Sequence, residues 1–271
     1  MNIHDIPNFY AYLFARKKFY RFNRILFNLS LRGLGILNYK NDIVSGERRF
    51  LERQLQKVIE PIVLDVGANV GAYSCAVLSS NSRAKVFAFE PHPNTFKRLS
   101  ERVVPLGIRV FNVACGSATG SMTLYDYGFG GTEHASLYQE VIEELHNQQP
   151  NRHDVEVIDL DSFTTEHQID HIDLLKIDAE GHELQVLQGA EGLIRRQRVR
   201  AIHFEFNEMN VVSRTFLRDY YKALPKYKLY RMLRDGLIAF PDKYSPTFSE
   251  IFAFQNIVAI PRQSIQGNSE L

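Results

Sequence analysis

Short apolar runs at residues 62–66, 85–89, 109–113, 172–177 and 201–206 are each closed by a polar or glycine-containing turn. Their length and β-branched content predict buried strands. Between them, residues 72–79, 94–104 and 183–195 space their apolar side chains at helical intervals. Pro93 or Asn94 suits the start of the second of these helices. Such alternation predicts a parallel sheet with helices on both faces. Further on, the pattern predicts a helix at 214–224 and strands at 228–232 and 251–260, the last two forming an antiparallel edge.

Two regions depart from this rhythm. Residues 117–153 hold a strand at 121–125, a loop with Gly128, Gly130 and Gly131, and a polar, weakly helical stretch at 140–149, before strand resumes at 155–158. An insertion at this place in an α/β sheet is expected to cover the site. Residues 1–50 carry nine Lys and Arg against three acids, interleaved with Phe and Tyr. One or two helices are expected over 8–37, ended by Gly33 and Gly35, and another helix over 47–58. The cationic, aromatic segment reads first as an appendage with a solvated charged face, and second as a peripheral membrane helix or a lid. The chain therefore divides into an extension (1–45), a main domain (46–261) and a frayed tail (262–271).

Composition narrows the classes. A hydrophobic share of 45%, a charged share of 23% and a net charge of +1 fit a soluble globular protein and give no argument for a nucleic-acid partner. The two cysteines, Cys75 and Cys115, form no disulfide framework. No run reaches the roughly 18 apolar residues of a membrane span. The N-terminus lacks the order of a signal peptide, so cytoplasm is the expected location.

Asp65, Glu90, Asn112, Asp178 and Glu205 all fall at or near the C-terminal ends of predicted parallel strands. In an open α/β sheet the ligand crevice lies outside those ends. Asp65 interrupts an apolar run, where a carboxylate is costly unless paired. The turn after it is Gly67-x-x-x-Gly71, so neither the dinucleotide fingerprint nor a triphosphate-binding loop is present. An acid before the first glycine suits an amine. Glu90, ending the second strand, can accept hydrogen bonds from ribose hydroxyls, and Asn112 offers an amide to an adenine edge. Amine, ribose and adenine without phosphates describe S-adenosylmethionine.

The motifs Leu64-Asp65-Val66-Gly67-Ala68-Asn69-Val70-Gly71, Phe89-Glu90-Pro91, Asn112-Val113-Ala114, Leu160-Asp161-Ser162-Phe163 and Leu175-Lys176-Ile177-Asp178-Ala179-Glu180-Gly181-His182-Glu183 resemble the FkbM family of class I methyltransferases. The resemblance runs from about Gly46 to Ala259 and leaves out the extension. It implies a Rossmann-like α/β fold with a mostly parallel seven-stranded sheet, and transfer of a methyl group to a hydroxyl of a saccharide, glycolipid or secondary metabolite. The donor residues expected are Asp65, Gly67, Asn69, Gly71, Glu90, Asn112 and Asp178.

A hydroxyl acceptor calls for a base, for which Asp178, Glu180 and His182 stand first, with Glu183, His203 and Glu205 as further candidates. Glu183 reads more simply as a helix cap. His134, Ser136 and Glu205 are expected to contact the acceptor. Asp178, Glu180 and Glu205 could together hold magnesium, although their spacing does not demand it. A nicotinamide oxidoreductase and a silent donor-binding domain are the rival classes. Oligomeric state is not legible from the sequence.

Overall fold

A computed structural model describes residues 5–128 and 135–265. At the N-terminus α1 (Ile6–Phe14) and α2 (Tyr20–Gly33) fold back on each other, Asn23 Nδ2 donating to the Phe14 carbonyl at 2.9 Å. After α2 the chain turns at Gly35 (φ +82°), and Ile36 bridges to Gln255. Next come α3 (Asp42–Ser45), capped by Asn41, and α4 (Glu47–Leu55), whose Phe50, Leu51 and Leu55 are buried.

The α/β body then opens with β1 (Ile62–Val66), α5 (Ala72–Ser80), β2 (Lys85–Phe89), α6 (Pro93–Val103) and β3 (Arg109–Phe111). The insertion carries β4 (Ala114–Cys115), β5 (Gly120–Asp126) and β6 (Asn151–Ile158), with one π-helical turn at Val141–Leu145 in place of the polar helix expected there. The body resumes with α7 (Leu160–Glu166), β7 (Leu174–Ile177), α8 (Glu183–Gln188), α9 (Glu191–Arg195) and β8 (Ile202–Phe206). It closes with α10 (Met209–Val212), α11 (Leu217–Ala223), β9 (Tyr227–Leu233), β10 (Gly236–Ala239) and β11 (Gln255–Pro261).

The main sheet runs β10-β9-β11-β8-β7-β1-β2-β3. β3, β2, β1, β7 and β8 are parallel, while β11 pairs antiparallel with both β8 and β9. The sheet has eight strands rather than seven because β10 returns on β9 through a two-residue turn at Arg234-Asp235. β4, β6 and β5 form a separate three-stranded sheet, so the strand expected at 155–158 belongs to the insertion's own layer.

Side-chain alternation divides the core in two. Leu64, Val66, Leu175, Ile177 and Phe204 face one layer, while Val63, Ala88, Leu174 and Val258 face α4, α5 and α6. Asp65 and Lys176 fall on the second face, paired in register across β1 and β7.

The helix expected over 183–195 is broken, and Asp161 explains the break. Its carboxylate accepts the Gly192 and Leu193 amides at 2.6 and 2.8 Å, starting α9 afresh. The Leu-Asp-Ser-Phe motif thus anchors a helix rather than a ligand. Asp161→Ala should lower unfolding free energy by about 2 kcal/mol, since two charge-assisted hydrogen bonds are lost, and Asp161→Asn by about half of that. Urea unfolding with unchanged α/β circular dichroism checks this.

Candidate active site

A cavity opens outside the C-terminal ends of β1, β2 and β7, where an open α/β sheet binds its ligand. Gly67, Asn69 and Glu90 form one lip, Asp178 and Glu180 the other. Leu124, Ala135 and Leu137 of the insertion also line it.

The two lips are held close by a missing side chain. Gly67 has φ +76°, and a Cβ there would collide with the Asp178 carbonyl. The Asp178 amide in turn donates to the Val66 carbonyl at 2.9 Å. The Asn69 amide donates to Glu90 Oε2 and the His92 amide to Glu90 Oε1, both at 2.9 Å. Glu90 is 6% exposed, and burial raises its carboxyl to about 7 despite these two amide donors. A carboxylate has roughly four lone-pair sites, so each oxygen can accept another donor. Asn69 Oδ1 is buried without a partner in the protein.

Three residues expected at the donor are turned elsewhere. Asp65 is buried, accepts the Ser74 hydroxyl at 2.6 Å and is absent from the cavity lining. Burial lifts its carboxyl to about 6, with Ser74 and Lys176 opposing. As a β1 residue it alternates onto the α4–α5 face, away from the cavity. Gly71 (φ +79°) is a packing requirement: a Cβ there would meet Val103 and Leu99 of α6. Asn112 Nδ2 donates to the Glu90 and Pro91 carbonyls at 2.8 and 3.0 Å, which fixes the turn that presents Glu90.

Lys176 is the residue that the sequence reading missed. Only 3% exposed, it places Nζ 3.5 Å from Asp178 Oδ2 and 3.5 Å from Glu205 Oε1. Burial alone would lower its pKa, but Asp178, Glu205, Glu47 and Asp65 outweigh burial and raise it. Glu205 is displaced well upward, first by burial and then by Asp178. It faces Lys176 and is not among the cavity-lining residues, contrary to its expected acceptor contact. Two of the oxygen ligands considered for magnesium, Asp178 and Glu205, thus already flank an ammonium group. The signal was present: a lysine inside the apolar run Leu174-Leu175-Lys176-Ile177 is as anomalous as Asp65.

On the insertion side, Ser136 Oγ donates to the Glu180 carbonyl at 2.8 Å and accepts the Tyr138 amide, pinning the insertion to the lip. Ser136 is 1% exposed and does not line the cavity, although its neighbours Ala135 and Leu137 do. His134 lies outside the described residues. His182 is also buried and off the lining. Its Nδ1 lies 3.2 Å from the Tyr138 hydroxyl, and burial drops its pKa to about 4, which suits packing better than proton uptake. Glu183 sits in the first turn of α8, but its carboxylate accepts the Ala179 and Gly181 amides at 3.1 and 3.0 Å and so shapes the preceding turn rather than capping the helix. His203, the remaining base candidate, is fully buried with its Nδ1 3.0 Å from the Tyr73 hydroxyl.

His92, Asp126 and His153 bring their ligating atoms within 4.8 Å of one another. The Thr95 amide donates to His92 Nδ1 at 3.3 Å, so in the neutral ring Nε2 carries the proton and donates to Asp126 Oδ2 at 2.9 Å. Binding a metal through Nε2 would cost that cap. The group acts as a latch between the Glu90 turn and β5.

These features fit the donor inferred from the sequence. Asn69, whose buried Oδ1 has no partner, and Glu90 line one cavity with Gly67 and Asp178. The family model described as Methyltransferase FkbM domain matches residues 65–230. Among relatives, the chain is 27% identical over 206 residues to the 2-O-methyltransferase NoeI of Sinorhizobium fredii, covering 69% of this chain and 82% of that one. It is 30% identical over 152 residues to the hexuronic acid methyltransferase AglP of Haloferax volcanii, covering 53% and 56%. It is 27% identical over 215 residues to the methyltransferase sdnD of Sordaria araneosa, covering 68% and 79%. A solved precorrin-6y C5,15-methyltransferase from Geobacter metallireducens superposes with a TM-score of 0.39 at 12% identity, covering 83% of this chain and 93% of that one. The family match takes in every strand end that lines the cavity, and the chain belongs to the FkbM family of S-adenosylmethionine-dependent methyltransferases.

Proposed function

We propose that this chain methylates a hydroxyl oxygen of a saccharide, whether free, lipid-linked or part of a secondary metabolite. The observation that carries this reading is one cavity with Asn69 and Glu90 on one lip and Asp178 and Glu180 on the other. The printed names of NoeI and AglP, a 2-O-methyltransferase and a hexuronic acid methyltransferase, support a sugar hydroxyl as the acceptor. The chain also lacks the Asn/Asp-Pro-Pro-aromatic signature common where nitrogen is methylated.

Gly67, Asn69 and Glu90 hold the donor, and Asp178 meets it from the opposite lip. When bound, the donor supplies a methyl group on a sulfonium, open to displacement by an oxygen in line with the carbon–sulfur bond. Asp178 and Glu180 orient the acceptor hydroxyl and take its proton. Asp178 leads because its side chain is about a third exposed at the lip and Lys176 steadies it from behind. Asp65 acts through Lys176, and Asn112 through the Glu90 turn. Leu124, Ala135 and Leu137 keep water from the reacting atoms. Residues 46–261 carry the transfer, while the extension brings the enzyme to its substrate; Arg262–Ile265, expected to fray, are helical. The free thiols Cys75 and Cys115 support a reducing, cytoplasmic setting. The cationic, aromatic segment 8–37 favours lipid-linked acceptors within this range, through peripheral membrane contact.

Two outcomes check the reading. Glu90 takes up a proton as pH falls through about 7, losing an acceptor for ribose hydroxyls. Calorimetry should therefore find affinity for the donor, or for its demethylated product, falling below that pH. Glu90→Gln should bind roughly tenfold to a hundredfold more weakly with a flattened pH profile; unchanged affinity overturns the assignment. Asp178→Asn should lower turnover at least about a hundredfold with donor affinity changed only a few-fold. Labelled donor and a cell-envelope glycan extract, followed by mass spectrometry of the product, provide that assay and identify the acceptor.

A further inference from the structure

In α2, Phe22, Ile25, Leu26 and Leu29 follow the spacing i, i+3, i+4, i+7 and so form one stripe. On a surface helix such a stripe normally packs on a core. Here all four are exposed, at 47, 58, 37 and 61%. Leu31 is the one buried residue of α2, and α1 has none. Phe9, Tyr10 and Tyr12 of α1 add exposed aromatic surface. Thirteen of the 22 exposed large apolar side chains among the described residues lie between Ile6 and Ile43. Among those residues no helix is long and apolar enough to cross a membrane.

Charge selects the partner. Residues 6–41 contain seven Lys and Arg and no Asp or Glu, which leaves −6 for the rest of a chain of net charge +1. Arg21 and Arg32 border the apolar stripe on one side, while Lys17 and Lys18 occupy the turn between α1 and α2. Apolar and aromatic side chains flanked by basic ones match the acyl boundary and headgroups of an anionic bilayer. Position matters as well. Ile36 bridges to Gln255, which lies opposite Phe206 at the C-terminal end of β8, and the Leu37 amide donates to the Phe254 carbonyl at 2.7 Å. The extension therefore joins the body at the sheet edge where the cavity opens.

We infer that α1 and α2 dock on the surface of an anionic lipid bilayer, lying in the interface with the α2 stripe inserted, and that docking turns the cavity edge toward lipid-linked acceptors. The second clause rests on the saccharide reading above; the first does not.

The test is co-sedimentation of the full chain with phosphatidylcholine vesicles, with and without phosphatidylglycerol. The chain should sediment with the anionic vesicles and much less with the neutral ones. Binding should fall as salt approaches 1 M, where the screening length shrinks to about 3 Å. Lys17→Ala/Arg21→Ala should weaken binding roughly thirtyfold, and Ile25→Asp/Leu29→Asp should abolish it. All four residues are exposed, so affinity for the demethylated donor should stay unchanged and serves as the folding control. Equal binding to neutral and anionic vesicles, or none to either, overturns the inference. So does a wild-type dimer that Ile25→Asp/Leu29→Asp makes monomeric while no vesicle binding is seen, since the stripe then belongs to a second copy. Vesicle binding without sugar methylation would leave docking standing and remove the saccharide reading; methylation without vesicle binding would do the reverse.

Discussion

One buried ammonium group organises the reactive edge of this enzyme. Lys176 lies among Asp178, Glu205, Glu47 and Asp65, which come from β7, β8, α4 and β1. An isolated charge in that position would cost several kcal/mol, and so would the acids without the lysine. Held together, they join three neighbouring strands and an N-terminal helix at the end of the sheet where the chemistry takes place. One cation faces four carboxylates, and burial shifts the more enclosed ones upward, Asp65 to about 6 and Glu205 well above the usual range. Asp178 alone of the four reaches the cavity, with Lys176 at its back.

The cavity inherits its shape from this edge. β1 and β7 approach until only glycine fits at position 67, so Gly67–Asn69 and Asp178–Glu180 keep a fixed separation. The insertion is then fastened at both sides. Ser136 bonds to the Glu180 carbonyl on one lip, and the His92–Asp126 pair ties β5 to the Glu90 turn on the other. A pocket held at two points can align donor and acceptor without first ordering a loop, which is the main contribution a protein makes to methyl transfer.

How much of this was legible depended on which physical signal carried it. The parallel alternation, the strand–glycine–helix start and the Glu90 turn were readable because each is encoded within a few neighbouring residues. Asp65 was rightly marked as anomalous, but its direction was not local information. Strand alternation sends its side chain to the α4–α5 face, where its partners come from α5 and β7. Asn112 and Gly71 mark structurally demanding positions whose demands arise from the Glu90 turn and α6, not from a ligand. The insertion's separate sheet is hidden because β6 enters between two strands that both precede it in the chain, pairing antiparallel with β5 and parallel with β4. Lys176 is as legible as Asp65, since a charged side chain inside the buried run of β7 is anomalous in the same way.

The same electrostatic reasoning extends to the whole molecule. At the reactive edge Lys176 is buried among acids; in the extension the basic residues run without an acid for 36 residues. Seven like charges gathered in 36 residues raise the local self-repulsion in water, and an exposed apolar stripe there is unfavourable as well. The proposed docking at an anionic bilayer would lower both costs together, since negative headgroups lie beside acyl chains there. On that proposal the attachment at Ile36–Gln255 matters, because it joins the extension to the C-terminal edge of the parallel strands, the edge that carries Asp178.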